Sequence, residues 1–94
     1  MSDKTWTVRN NTEQSRFETV LDEGIALAQY RLREGVLQIV HTEVPPALEG
    51  RGIASGLMAA VVAYAREHGL KIEPRCSYAD AYMKRHPETQ DLLA

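Results

Sequence analysis

The stretch 36-VLQIVHTEVPPALEGRGIASGLMAAVVAYAREHGLKIEPRC-76 decides the fold of this chain. Val36–Val44 is rich in β-branched residues, which is typical of a strand, and the Pro-Pro pair that follows ends it. From Gly52 onward apolar residues recur at helical spacing until Gly69, a suitable helix stop. Leu70–Arg75 then alternates between apolar and charged residues, as a short strand does. A strand, a helix and a strand of these lengths form a right-handed crossover, so we expect the two strands to run parallel.

Upstream of this stretch, two turn signals of three residues each divide the chain into further strands. The predicted strands are Trp6–Arg9, Arg16–Leu21 and Ile25–Leu32. In the second of them Phe17 belongs to the apolar face, whereas Glu18 belongs to the polar one. Connections of about three residues cannot join parallel strands, so these segments and the strand at 36–44 form an antiparallel meander of three to four strands.

Downstream of Cys76, Ser77 is a suitable N-terminal cap for a helix over Tyr78–Arg85, which Pro87 ends. The predicted fold class is therefore α+β. A mixed, mostly antiparallel sheet begins as a meander, continues through the strand–helix–strand crossover and is followed by a C-terminal helix. The 94 residues are enough for one small domain, which we expect to span 1–94.

The net charge, the cysteine count and the lengths of the apolar runs disfavour several classes of protein. The net charge of −2 disfavours a nucleic-acid binder, because such proteins need clustered positive charge. A single cysteine excludes an intrachain disulfide and suits a reducing compartment. No apolar run approaches the roughly 18 residues of a spanning helix, and the first residues lack a signal-peptide core. We therefore expect a cytoplasmic protein with no membrane or nucleic-acid partner. The histidines and Cys76 show no metal-ligand spacing, so we predict no metal site.

The glycine-rich segment Gly50–Ser55 is the first candidate binding site. Backbone N–H groups at a helix N-terminus face outward there, and the helix dipole favours a negative charge. The segment is not a P-loop, because no Gly-Lys-Ser/Thr follows, and Ser55 stands where a dinucleotide fingerprint has its third glycine. We expect a phosphate-bearing cofactor at this segment. The alternative is a helix entry that uses glycine without binding a ligand.

The segment from His41 to Glu88, HTEVPPALEGRGIASGLMAAVVAYAREHGLKIEPRCSYADAYMKRHPE, resembles the GCN5-related N-acetyltransferase superfamily, and in particular its small YjdJ-like members. The superfamily signature at the pyrophosphate loop is Gln/Arg-x-x-Gly-x-Gly/Ala. Gly52 and Ala54 match its last two fixed places, whereas Glu49 stands where Gln or Arg is usual. The resemblance implies a GNAT-like fold and acetyl-CoA or coenzyme A as the cofactor.

The resemblance also implies where a CoA thioester binds. Pantetheine would lie between the diverging strands 36–44 and 70–75, bonded to the backbone of Thr42 and Val44. The pyrophosphate would lie on the amides of the loop, with the cofactor-binding residues Gly50, Arg51, Gly52, Ile53, Ala54 and Ser55. The backbone N–H near Val44 would polarise the thioester carbonyl. Arg51, Lys84 and Arg85 are candidates for the additional phosphate on the ribose, and the alternative for each is a solvated surface charge.

Three residues are candidates for catalysis. Cys76 follows the last strand, where the thioester would arrive, and is an acyl acceptor, a residue that lines the acetyl pocket, or an inert small core residue. Glu43 shares a strand face with His41 and suits a general base, whereas a solvated strand end is the alternative. Tyr82 lies four residues after Tyr78 on the last predicted helix, where the resemblance implies a tyrosine able to protonate the departing thiolate. Its alternative is core packing.

The function that we predict is acetyl-CoA-dependent N-acetyl transfer to an unidentified amine. The alternative is a non-catalytic module that binds CoA or acyl-CoA, and a third reading is an interaction domain without cofactor. Only Asn10–Ser15 separates the first two strands, where larger members have helices that build the acceptor pocket. The acceptor site is therefore open, supplied by a protein partner, or absent. We expect the protein to be a monomer.

Overall fold

A computed structural model describes residues 6–94 of the chain. Five strands and two α-helices follow one another in the predicted order, with a short 3₁₀ helix after the fourth strand and another after the last α-helix. The elements are β1 (Arg9–Asn11), β2 (Arg16–Leu21), β3 (Gly24–Arg33), β4 (Val36–Glu43), the 3₁₀ helix Pro46–Leu48, α1 (Ile53–His68), β5 (Lys71–Pro74), α2 (Ser77–Arg85) and the 3₁₀ helix Pro87–Leu92. No helix among residues 6–94 is long and apolar enough to cross a membrane.

The strands form one sheet in the order β1-β2-β3-β4-β5. The first four are a meander of antiparallel neighbours, and β5 runs parallel to β4 in a register from Val36↔Lys71 to Ile39↔Pro74. The α+β class, the meander and the parallel crossover are therefore confirmed. Gly69 ends α1 as expected, in the left-handed conformation with φ of 66°.

The first strand was predicted at Trp6–Arg9, and this placement is wrong. Asn10 and Asn11 are strand residues, and the turn follows them, ending at Ser15 with φ of 55°. Trp6 instead lies against Gly56 of α1, so closely that a Cβ atom added to this glycine would overlap the indole ring. The indole is thus used for packing between the N-terminal segment and the helix.

One continuous core joins both helices to one face of the sheet. Leu37 and Ile39 of β4 and Ile72 of β5 are fully buried there. The buried residues of the helices in this core are Ile53, Leu57, Met58, Val61 and Ala65 of α1 and Ala79, Tyr82 and Met83 of α2. The helix α2 begins one residue earlier than predicted, with Cys76 rather than Ser77 as its cap.

Glu18 was assigned to a polar face of β2, but only 2% of this residue is exposed. Its carboxylate accepts hydrogen bonds from Arg16 and Arg9, both at 2.8 Å, and from the Asn11 amide. The hydrogen bond from Arg16 is the largest cause that lowers the pKa of Glu18, to about 2. The charge can be buried because these three donors replace the hydrogen bonds that water would make to it. The bonds from Arg9 and Asn11 also link β1 to β2.

Candidate functional site

The candidate site begins where β4 and β5 part. Their ladder ends at Ile39↔Pro74. Beyond it, the carbonyl oxygen of Ile39 accepts the N–H groups of both Arg75 and Cys76 at 3.0 Å, so the chain turns away from the sheet into α2. The last residues of β4 therefore pair with β3 on one side only.

A β-bulge in β4 changes which side chains face the core. Ile39 pairs with Tyr30 and His41 pairs with Gln29, so Val40 has no partner in β3. The extra residue reverses the alternation of faces beyond it. Ile39 is fully buried on the helix side, whereas the side chains of His41 and Glu43 are 54% and 60% exposed. The sequence carried no signal for this bulge.

The loop from β4 to α1 presents backbone donors at the helix N-terminus. Gly50 and Gly52 have φ of 85° and 76°, a conformation that side chains disfavour. Gly52 is the N-cap, so it has no side chain to satisfy the first N–H groups, and the first turn contains no acidic residue. The first intrahelical bond runs from Gly56 N–H to Gly52 O at 2.9 Å. The N–H groups of residues 53–55 precede it and form the predicted amide cradle.

A cleft of about 350 Å³ lies over this cradle. Six of the residues predicted to bind the cofactor line it, namely Val44, Gly50, Gly52, Ile53, Ala54 and Ser55, together with Leu48, Glu49 and Tyr78. The β4 end, the amide donors and α2 thus meet at one surface. Amides at a helix N-terminus suit a phosphate, and Glu49 places an unfavourable carboxylate at the same cleft.

The remaining predicted cofactor residues lie elsewhere. Arg51 is turned toward the β2–β3 turn, where its guanidinium lies 3.1 Å from the Glu23 carboxylate. The positive charge of Arg85 lowers the pKa of the Tyr78 phenol, against the larger rise that burial causes. Arg85 thus acts electrostatically on a residue of the cleft, whereas the guanidinium of Arg51 is paired with Glu23.

Thr42 and Cys76 meet across the opening between the two strands. Thr42 Oγ1 lies 3.3 Å from Cys76 Sγ, and either atom is able to donate the hydrogen bond. Both residues are half-buried. The thiol thus lies at the point where the predicted thioester would arrive. Its neighbour Arg75 lies 3.7 Å from the Glu73 carboxylate.

Glu43 and His41 form a pair on the opposite face of the sheet. His41 Nε2 lies 3.2 Å from Glu43 Oε1, and both side chains are open to solvent. The predicted shared face is confirmed. A carboxylate beside an imidazole is able to accept and relay a proton, and no residue encloses this pair in the described part of the chain.

Tyr82 was the predicted proton donor, but its ring lies in the core rather than at the cleft. It stacks on His86 with ring centroids 3.9 Å apart, and burial raises its pKa. Tyr78, one helical turn earlier, lines the cleft, and burial raises its pKa as well. Sequence spacing alone did not separate the two tyrosines, since both belong to one face of α2.

Comparison with known proteins identifies the family. The family model described as GCN5-related N-acetyl-transferase matches residues 16–92. The chain belongs to this family. Members of the family are acyltransferases that generally use acetyl-CoA, and the resemblance drawn from the sequence is thereby confirmed.

A solved relative shares the architecture. The solution NMR structure of a GCN5-like protein from Staphylococcus aureus superimposes with a TM-score of 0.76 at 30% sequence identity. The match covers 97% of this chain and 90% of that chain. The GNAT-like fold is therefore shown over nearly the whole length.

Vertebrate relatives match a shorter part of the chain. Protein NATD1 of Gallus gallus and of Homo sapiens are each 37% identical over 71 residues, which is 76% of this chain. The aligned part is 64% and 62% of those two proteins, respectively. The chain thus spans a little under two thirds of the length of these relatives.

Proposed function

We propose that this protein is an acetyl-CoA-dependent N-acetyltransferase whose cofactor binds over the cradle of residues 53–55. The supporting observation is the cleft that joins these amide donors to the end of β4 and to Tyr78. Free donors, an open N-cap and the absence of an acidic residue from the first turn of α1 all suit a diphosphate. When bound, the cofactor supplies an activated acetyl thioester.

The residues of the chain have separate roles in this proposal. Thr42 and Cys76 line the place where the acetyl group is held. Glu43, with His41 beside it, accepts the proton that the acceptor amine must lose before it attacks. Tyr78 lies at the cleft and is the residue placed to protonate a leaving thiolate, in place of Tyr82. Arg85, whose charge acts on Tyr78, contributes to phosphate binding.

A charge series at the cleft tests cofactor binding without disturbing the fold. Ser55→Glu places a carboxylate in the first helical turn, where it stabilises the helix dipole but repels a phosphate. A ligand at 100 times its Kd raises the free energy of unfolding by about 2.7 kcal/mol. We expect CoA to produce this thermal shift in the wild type, a larger shift at the same concentration in Glu49→Gln, and none in Ser55→Glu. A substitution at Gly52 is a poorer test, since its φ of 76° would strain the backbone.

The matched control is Ala59→Glu, an exposed position further along the same helix. It should retain the thermal shift with CoA. Turnover is measured as thiol release from acetyl-CoA in the presence of amines. The transferase is supported if thiol is released and if Glu43→Gln and Cys76→Ala reduce that release. Any acetylated form of the protein seen by mass analysis should also be compared between the wild type and Cys76→Ala, which shows whether the acetyl group is carried by the thiol. A full CoA shift without release above background would instead favour a binding module. An unchanged shift in Ser55→Glu would overturn the placement of the cofactor.

A further inference from the structure

A hollow separate from the cofactor cleft lies beside β1 and β2. Its volume is about 230 Å³, and the residues that line it are Trp6, Thr7, Arg9, Glu18, Val20 and Leu21. None of them lines the cleft over the amide cradle. Val20 is 59% exposed and Leu21 is half-buried, so the hollow has an apolar surface next to charged groups.

The buried carboxylate of Glu18 fixes two guanidinium groups beside each other at this place. Arg9 Nε lies 2.8 Å from Oε2 and Arg16 Nε lies 2.8 Å from Oε1, so each carboxylate oxygen holds one arginine. Both bonds use Nε, and within residues 6–94 the terminal nitrogens of the two guanidinium groups make no hydrogen bond. The side chains of Arg9 and Arg16 are 70% and 26% exposed, so a ligand is able to reach these remaining donors.

The cluster of Arg9, Glu18 and Arg16 has an excess of positive charge, because two guanidinium cations flank a single carboxylate. This carboxylate stays ionised at neutral pH, since hydrogen bonds, the largest effect being that from Arg16, lower its pKa to about 2. Leu27 separates Glu18 from the next carboxylate in the same row of the sheet, Glu43. Glu43 is two strands away, at roughly 10 Å, so its repulsion of an anion at the arginines is weak.

We propose that this hollow binds a small organic carboxylate, whose charged group lies on the terminal N–H groups of Arg9 and Arg16 and whose short apolar part lies against Val20 and Leu21. A guanidinium fork matches the two oxygens of a carboxylate, and the single negative charge of such a ligand balances the excess cation of the cluster. The hollow is smaller than the roughly 300–1,000 Å³ of a typical ligand pocket, so only a short chain fits. The inference does not depend on the proposed transferase activity, because the site lies outside the cofactor cleft.

The test uses the fluorescence of Trp6, which is the single tryptophan of the chain and lines the hollow. The full chain is titrated with hexanoate and with hexanamide, an uncharged ligand of the same shape. We expect a saturable change with hexanoate and a Kd about tenfold higher for hexanamide, which lacks the charge that strengthens hydrogen bonds from a guanidinium. Acetate, which has the charge without the apolar chain, should also bind more weakly than hexanoate.

Arg9→Gln should raise the Kd for hexanoate about tenfold, because one guanidinium is lost, while Arg16 and Asn11 still bind Glu18. The control Arg33→Gln removes an exposed arginine at the far end of β3 and should leave the Kd unchanged.

Three results would overturn the carboxylate site: no saturable change with hexanoate, equal affinities for hexanoate and hexanamide, or wild-type affinity in Arg9→Gln. If a melting curve shows that Arg9→Gln is unfolded, the comparison of the two ligands on the wild type decides. A missing thermal shift with CoA would remove the proposed cofactor site and leave this one standing.

Discussion

Because the carboxylate of Glu18 is buried, the free energy of unfolding of this domain decreases when the pH falls into the acidic range. Its pKa falls from 4.5 to about 2 on folding, mainly through the hydrogen bond from Arg16. A group whose pKa is lowered in the folded state stabilises that state fully above its unfolded pKa and loses this contribution as the pH falls. The difference of about 2.5 units corresponds to about 3 kcal/mol, at 1.36 kcal/mol per unit. Arg9 is largely exposed, so solvent screens its share and the figure is an upper value.

The assay is urea unfolding of the wild type and Glu18→Gln at intervals between pH 7 and pH 2. The free energy of unfolding of the wild type should exceed that of the variant by about 3 kcal/mol at neutral pH, and the difference should disappear progressively from about pH 5 to pH 2. Taking the difference between the two proteins cancels the other carboxylates. Glu13→Gln, on the exposed turn before β2, is the control and should follow the wild type. A difference that stays constant with pH would refute the assignment of the lowered pKa to Glu18.

Two further substitutions test contacts near the cleft. Glu23→Gln releases Arg51 from its ion pair, so CoA affinity measured by calorimetry should rise severalfold at low salt and less at high salt. Asp22→Asn, on the same turn, is the control and should have no effect. Equal CoA affinities for the two variants would contradict a competing role for Glu23. Gly56→Ala should lower the melting temperature by several degrees, because overlap of the new methyl group with the Trp6 ring costs about 1–3 kcal/mol and exceeds the gain in helix propensity. A higher melting temperature would show that Trp6 moves aside freely.

The regular elements were predictable because each has a repeating signal in the sequence. The apolar positions from Ile53 to Ala65 follow one helical face, and the short turns at Gly24 and Gly35 allow only antiparallel neighbours. The parallel pairing of β4 with β5 follows from the length of the crossover. These features depend on the spacing of residue types, which a sequence states directly.

The bulge at Val40 was not predictable in the same way. Strict alternation would place Leu37, Ile39, His41 and Glu43 on one face, and the structure instead buries the first pair and exposes the second. Val40 is a β-branched residue that fits a regular strand equally well. The bulge is a change in how β4 pairs with β3, which the order of residue types within β4 does not indicate. A local pattern therefore could not reveal it.

Side-chain directions at the site also depended on tertiary partners. Arg51 follows directly after Gly50 in the glycine-rich loop, yet its guanidinium pairs with the carboxylate of Glu23 on the β2–β3 turn. Tyr78 and Tyr82 have equivalent spacing, and the stacking of His86 on Tyr82 separates their environments. The amide cradle was predicted more reliably than these side chains, because backbone donors at a helix start have a fixed direction.

The site arises from two irregularities at the same level of the sheet. The β4–β5 ladder ends at Ile39↔Pro74, where the N–H groups of Arg75 and Cys76 share the carbonyl oxygen of Ile39, and the unpaired Val40 bends β4 next to that point. Together they bring Thr42 to Cys76 on the helix side and turn Glu43 toward the opposite side. A thioester held between the strands would then meet a thiol and hydroxyl on one face, while an amine approaches the carboxylate on the other. In the proposed reaction the amine and the thioester would meet at the opening between β4 and β5, because direct transfer requires the two reacting groups to be in contact.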